Sequence, residues 1–204
     1  YEVVSVDIDR KCKPDIVTDI LEWNYQTFAP HTFDIIWASP PCTHFSILRT
    51  TGSPRDIEGA NQIVKRTLEI IAYFQPHVWF MENPASGYLK VQQYMNEIPY
   101  VDVHYCKYDY PYRKWTRIWT NIADRLELQL CRMDCAALIF DTYTGTFRHR
   151  GTFGGNYPGV PLHQRYSIPP GLVHDLFESA AKYLCEKDVL IETAKYIMVG
   201  GSRP

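Results

Sequence analysis

Apolar positions along the chain fall into short β-branched runs separated by two helical stripes. The opening Tyr1-Glu-Val-Val-Ser-Val-Asp-Ile-Asp9 ends in acids at Asp7 and Asp9, the pattern of a buried parallel strand whose carboxyl end carries function. Phe33-Asp-Ile-Ile-Trp-Ala38 predicts a second strand. Ser39-Pro-Pro-Cys42 ends it, because proline has no N–H to give to a ladder. Between Asp56 and Phe74 the apolar residues Ile63, Val64, Leu68, Ile71 and Ala72 recur at helical spacing, and Pro76 stops the helix. Val78-Trp-Phe-Met81 predicts a third strand that runs into Glu82-Asn83-Pro84. Pro169-Pro-Gly171 opens a helix reaching Cys185, with Leu172, Leu176, Ala180 and Leu184 at i, i+4 spacing. Strand, helix and strand in alternation predict an α/β fold with a mostly parallel sheet and flanking helices, in which ligands bind beyond the carboxyl ends of the strands. From 121 to 165 the texture changes. Thr142 to Pro161 is rich in Gly, Thr and aromatic residues with little periodicity, which predicts a small loop-rich insert.

Composition narrows the classes. A chain of 204 residues has room for one ordinary domain and a small appendage. With 46% hydrophobic and 22% charged residues it is neither disordered nor fibrous. No apolar run approaches the roughly 20 residues of a membrane span, so no membrane partner is expected. The net charge of −2 excludes a general electrostatic pull toward nucleic acid. A local one is open, since residues 101–170 hold nine basic and six acidic side chains, an excess that also suits a plain solvated face. Six scattered cysteines and the lack of a charged-then-apolar leader point to a reducing compartment, cytoplasmic or, in a eukaryote, nuclear. Cys131 and Cys135, with Cys106 before them and His149 and His163 after, are the donor types of a tetrahedral zinc. Their loose spacing suits ordinary buried thiols better, and no metal ligand is assigned. The oligomeric state is not legible.

Pro40-Pro41-Cys42 at one strand end and Glu82-Asn83-Pro84 at another place a thiol and a carboxylate on the same rim of the sheet. In this order they resemble the signature of the DNA (cytosine-5)-methyltransferases, whose nucleophile lies in a Pro-Cys motif and whose partner acid lies in Glu-Asn-Val or Glu-Asn-Pro. Phe45-Ser46 follows that family's Phe-Ser pair, and Arg113-Lys-Trp-Thr-Arg117-Ile-Trp resembles its basic motif. The resemblance implies a Rossmann-like catalytic domain over 1–120 and 166–204, with a target-recognition insert over 121–165. It implies S-adenosylmethionine as cofactor and DNA as partner. Cys42 would add to carbon 6 of cytosine, because carbon 5 is a poor nucleophile until the ring becomes an enamine. Glu82 would donate at ring nitrogen 3. Arg117 would stabilise developing negative charge, with Lys114 replacing the arginine whose place Trp115 takes. Ser46, Asn83 and Lys114 would contact the base.

For the cofactor, the resemblance assigns Asp7 to the ribose hydroxyls, Asp19 to the adenine amino group, Ile20 to the adenine ring and Pro40 to a place beside them, and it counts Ile8 among the cofactor-binding residues. Two family motifs depart. The Phe-x-Gly-x-Gly loop after the first strand is absent, because the sequence opens at what the resemblance makes its second strand. Tyr166-Ser-Ile-Pro-Pro170 resembles the last motif, Gly-Asn-x-Val-Pro-Pro, with Arg165 and Tyr166 in place of Gly-Asn. The stretch Thr43–Arg55 is expected to be a mobile loop closing behind a flipped base, with Arg49 and Arg55 available to phosphates. Arg148, Arg150 and Arg165 are expected to contact the nucleic-acid backbone. Two other classes compete: an RNA cytosine-5 methyltransferase on the same fold, and a catalytically silent nucleic-acid-binding relative.

Overall fold

The computed structural model describes residues 2–47, 49–50, 52–149, 166–187 and 195–200. Nine strands are described, β1 (Glu2–Asp7), β2 (Ile16–Val17), β3 (Ile35–Ser39), β4 (Val78–Pro84), β5 (Tyr100–His104), β6 (Trp115–Thr120), β7 (Leu138–Asp141), β8 (Thr146–His149) and β9 (Lys195–Gly200). Seven of them form one sheet in the order β2-β1-β9-β3-β4-β6-β5, parallel from β2 to β4, with β6 antiparallel to both of its neighbours. The mostly parallel α/β sheet expected from the sequence is therefore present. β9 lies between β1 and β3 and runs parallel to both.

Alternation along the central strands divides the core in two. Ile36 and Ala38 of β3 and Met81 of β4 face one way, while Ile35 and Trp37 of β3 and Val78 and Phe80 of β4 face the other. Helix α1 (Ile57–Phe74) covers the first face through Val64, Ile70, Ile71 and Phe74, and α2 (Pro170–Glu186) covers the second through Leu172, Leu176, Ala180 and Leu184. The Asp56 carboxylate caps α1 by accepting from the Gly59 N–H at 2.8 Å. Gln75 ends it in the left-handed region at φ 47° and donates back to the Ile71 carbonyl, just before Pro76. Neither helix is long and apolar enough to cross a membrane.

Two expectations change. Glu82-Asn83-Pro84 does not follow β4 but belongs to it, because β6 pairs along it as far as Pro84 opposite Thr116. β3 pairs with β4 only as far as Ala38 opposite Met81, since Pro40 and Pro41 cannot continue the ladder. Within the stretch expected to be loop-built, Leu138–Asp141 and Thr146–His149 form a separate hairpin. Its turn is shaped by Asp141, whose side chain accepts from Tyr143 and Thr144, and by Gly145 at φ 67°.

Phe74 is fully buried and meets Phe33 edge-on, ring centroids 5.0 Å apart and planes at 88°. Deleting that ring opens a cavity beneath α1. Phe74→Ala is expected to lower unfolding stability by about 3–5 kcal/mol, read as a shift in the urea midpoint at unchanged slope.

Candidate active site

The sheet brings the thiol and the carboxylate of the sequence motif to neighbouring strand ends. The side-chain amide of Asn83 donates to the Pro40 carbonyl at 2.9 Å, tying the turn after β3 to the last residues of β4. The Cys42 carbonyl accepts from the amides of Phe45 (3.0 Å) and Ser46 (2.8 Å), so the half-buried Cys42 opens a tight turn. Phe45 plugs that turn into the core with no exposed surface. Its carbonyl accepts from Tyr88 at 2.8 Å, and a side chain at Gly87 would come within 3.1 Å of the same oxygen. The two chain segments are thus packed backbone to backbone.

Glu82 is 7% exposed and held on one oxygen. Tyr105 donates to its Oε1 at 3.0 Å, and Lys114 Nζ stands 3.4 Å from the same atom and 4.7 Å over the Tyr105 ring. Burial, and then the Glu82 charge, push the Tyr105 hydroxyl well above its ordinary range, so it stays protonated as a donor. Sequence reasoning found Lys114 and missed Tyr105. The bond spans 23 residues, and a tyrosine in a Tyr-rich stretch carries no local signal for it.

Arg117 goes elsewhere. It pairs in register with Asn83, and paired residues share a face, so it projects from the face opposite Glu82. There it makes two bonds to Asp102, at 2.7 and 3.0 Å, and lies 3.5 Å over the Tyr100 ring. The cation found beside Glu82 is Lys114, whereas Arg117 is held at Asp102. The arginines of the 43–55 stretch are also engaged. Arg55 donates to the carbonyls of His44, Ser46 and Arg49, while Arg49 binds Ser53 and the His44 ring. They brace the turn after Cys42. Arg148 is paired with Asp141. Arg150 and Arg165 lie outside the described residues.

A cleft of 570 Å³ opens at the carboxyl ends of the strands, lined among others by Asp7, Ser39, Glu82, Ile168, Phe177 and Gly200. Its walls are mostly apolar with a few convergent polar groups, the usual make-up of a small-molecule site. Asp7 accepts from the Asp9 amide at 2.8 Å. A Cβ at Gly200 would fall 2.1 Å from Asp7 Oδ2, so β9 must end in glycine for the carboxylate to sit there. Of the other residues assigned to a cofactor, Ile8 is exposed, Asp19 caps its own turn through the Leu21 amide, Ile20 packs in the core and Pro40 is buried.

Residues 9–90, which include both Cys42 and Glu82, match the family described as C-5 cytosine-specific DNA methylase. The chain is 33% identical over 195 residues to a probable DNA (cytosine-5)-methyltransferase of Frog virus 3 (isolate Goorha), a match covering 87% of this chain and 89% of that protein. With the sheet, the Pro-Cys turn and the buried Glu-Asn pair already in place, this similarity shows that the chain belongs to the C-5 cytosine-specific DNA methylase family.

Proposed function

We propose that the chain methylates carbon 5 of cytosine in DNA, with Cys42 as covalent nucleophile and Glu82 as the acid at ring nitrogen 3. The observation that carries this reading is the Asn83–Pro40 bond, which holds the Cys42 turn against the strand that presents Glu82. S-adenosylmethionine suits the cleft. Asp7 offers a carboxylate for ribose hydroxyls, Gly200 leaves the backbone beside it bare, and Ile168 and Phe177 offer apolar surface. When bound, the cofactor supplies the activated methyl group.

The protein's own residues do the rest. Cys42 forms a bond to carbon 6, and the electron pair of the 5,6 double bond moves toward the ring's nitrogen 3 and its carbonyl. Tyr105 and Lys114 bind Glu82 Oε1, which leaves Oε2 to meet nitrogen 3. Lys114, fixed over the Tyr105 ring, places positive charge where negative charge develops. Water then takes the proton from carbon 5, that electron pair re-forms the 5,6 double bond as the thiolate leaves, and nitrogen 3 returns its proton to Glu82. Reaching carbon 6 requires the base to leave the stack, because the attack comes along the normal to the ring. The hairpin of β7 and β8 lies in the stretch we assign to target recognition.

A DNA oligonucleotide containing 5-fluorocytosine is expected to be trapped as a denaturation-resistant adduct in the presence of cofactor, because fluorine cannot leave as a proton. Cys42→Ala is expected to abolish the adduct on a denaturing gel, and trapping on RNA but not DNA would reassign the substrate. Glu82→Gln keeps the shape and loses the acid, so methyl transfer is expected to slow by about 100-fold or more while cofactor binding persists, read by single-turnover kinetics beside calorimetry.

The two cations separate in the same assay. Lys114→Met is expected to slow methyl transfer by about 100-fold, the loss of one group that stabilises developing charge. Arg117→Met strands the Asp102 carboxylate instead and is expected to cost about 1–3 kcal/mol of unfolding stability, with turnover near that of the unsubstituted protein.

A further inference from the structure

The β7–β8 hairpin stands apart from the seven-stranded sheet and has little core of its own. Phe140 is 54% exposed, Phe147 62% and Tyr143 97%. Two strands alone are marginal in water, so the hairpin needs an anchor. Of its strand residues, His149 alone is buried.

His149 reaches into a cluster of sulfur. Its Nε2 lies 3.2 Å from Cys131 Sγ and 3.7 Å from Cys106 Sγ, and with Cys135 all four donor atoms fall within 4.8 Å of one another. They come from three separate segments: Cys106 just after β5, Cys131 and Cys135 from one loop, and His149 from the end of β8. None of the three sulfurs is in a disulfide. Ordinary buried thiols pack against carbon, whereas these converge on a common point. We propose that Cys106, Cys131, Cys135 and His149 bind one structural zinc ion that pins the hairpin to the catalytic sheet.

Zinc bond lengths of about 2.3 Å to sulfur and 2.0–2.1 Å to nitrogen, at tetrahedral angles, put ligand atoms roughly 3.5–3.8 Å apart. The sulfur to nitrogen distances found here bracket the lower part of that range. Three thiolates and an imidazole in a closed, tetrahedral set select zinc over the hard, oxygen-seeking cations. The loop is shaped for the task. Met133 takes φ 65°, and the Arg132 amide donates to the Asp134 carboxylate at 3.0 Å, which folds the loop between Cys131 and Cys135. The Cys131 amide in turn donates to His104 Nδ1 at 2.9 Å, and Lys107 closes the loop through Asp134 at 3.1 Å. Zinc with three thiolates and a neutral imidazole carries a net negative charge. Lys107 follows Cys106 directly and is tied to Asp134 of the loop, and Arg113 stands 3.4 Å from the His104 ring that accepts from the Cys131 amide, so two cations flank the cluster. His163, the other histidine considered from the sequence, lies outside the described residues. Cys106 follows Tyr105 directly, so the metal also fixes the segment that holds Glu82.

This inference stands apart from the methyl-transfer reading, and its test needs no activity. Protein purified without chelator is expected to hold about one zinc per chain by elemental analysis, the occupancy of a single closed site. Cobalt in its place is expected to give the intense visible bands of tetrahedral coordination and a thiolate charge-transfer band. Cys135→Ser and His149→Ala are expected to lose the metal. Cys12→Ser, Cys185→Ser and His174→Ala are expected to keep it; His174 belongs to an exposed group with Asp175 and Glu178 and controls for surface binding. If the ligand variants do not fold, the unsubstituted protein stripped by a strong chelator serves in their place. Its hairpin is expected to be cut faster by protease, with protection restored by zinc. Zinc-free protein with an equally protected hairpin, zinc retained in Cys135→Ser, or a disulfide within the cluster would each overturn the proposal.

Discussion

Two adjacent prolines set the geometry on which the rest depends. β3 and β4 run side by side until Met81, and there Pro40 and Pro41 withdraw β3 from the ladder. β4 continues, because β6 supports it on the other side through Pro84. The result is a strand end paired on one edge and open on the other. Such a notch holds Glu82 rigidly while leaving room beside it, and the carbonyl of Pro40, which the ladder no longer uses, becomes the acceptor for Asn83. A longer β3 would fill the notch with backbone.

The notch also fixes how charge is distributed. Burying a carboxylate in an apolar layer costs several kcal/mol unless it is paired and hydrogen-bonded. Glu82 meets that cost with Lys114 and Tyr105, both supplied by the segment between β5 and the end of the Lys114 turn. On the opposite face Arg117 and Asp102 pair across β6 and β5, clamped by Tyr100. Lys114 and Arg117 are three residues apart, yet they face different layers, one beside Glu82 and the other joining the edge strands through Asp102.

The legible parts of this chain were those encoded locally. β1, β3, α1 and α2 follow from β-branched runs, helical stripes and flanking prolines, and Cys42 and Glu82 are found because each sits where a strand motif ends. What sequence could not supply was register. Arg117 reads as a reactive cation until β6 is aligned against β4, and only then does its side chain fall on the Asn83 face. Tyr105 had no local mark at all. The hairpin did carry a signal, since Leu138-Ile-Phe140 and Thr146-Phe147 flank an Asp and Gly turn, but its aromatic residues face outward and so give no alternation. The sulfur cluster was visible as a set of donors but not as a site, because Cys106 and His149 are 43 residues apart.

β9 has a consequence for how the chain assembles. Val3 of β1 pairs with Tyr196, so the β1–β2 unit joins the rest of the sheet through a strand from the far end of the sequence. Pairings this distant carry the largest loop-closure entropy and are slow to form. β3, β4, α1, β5 and β6 occupy a continuous stretch and have partners near at hand, so the half bearing Cys42 and Glu82 is able to organise around itself. The sheet is then completed at its centre instead of at an edge. Asp7 and Gly200 meet at that seam, so the wall of the cleft at Asp7 depends on this long-range pairing.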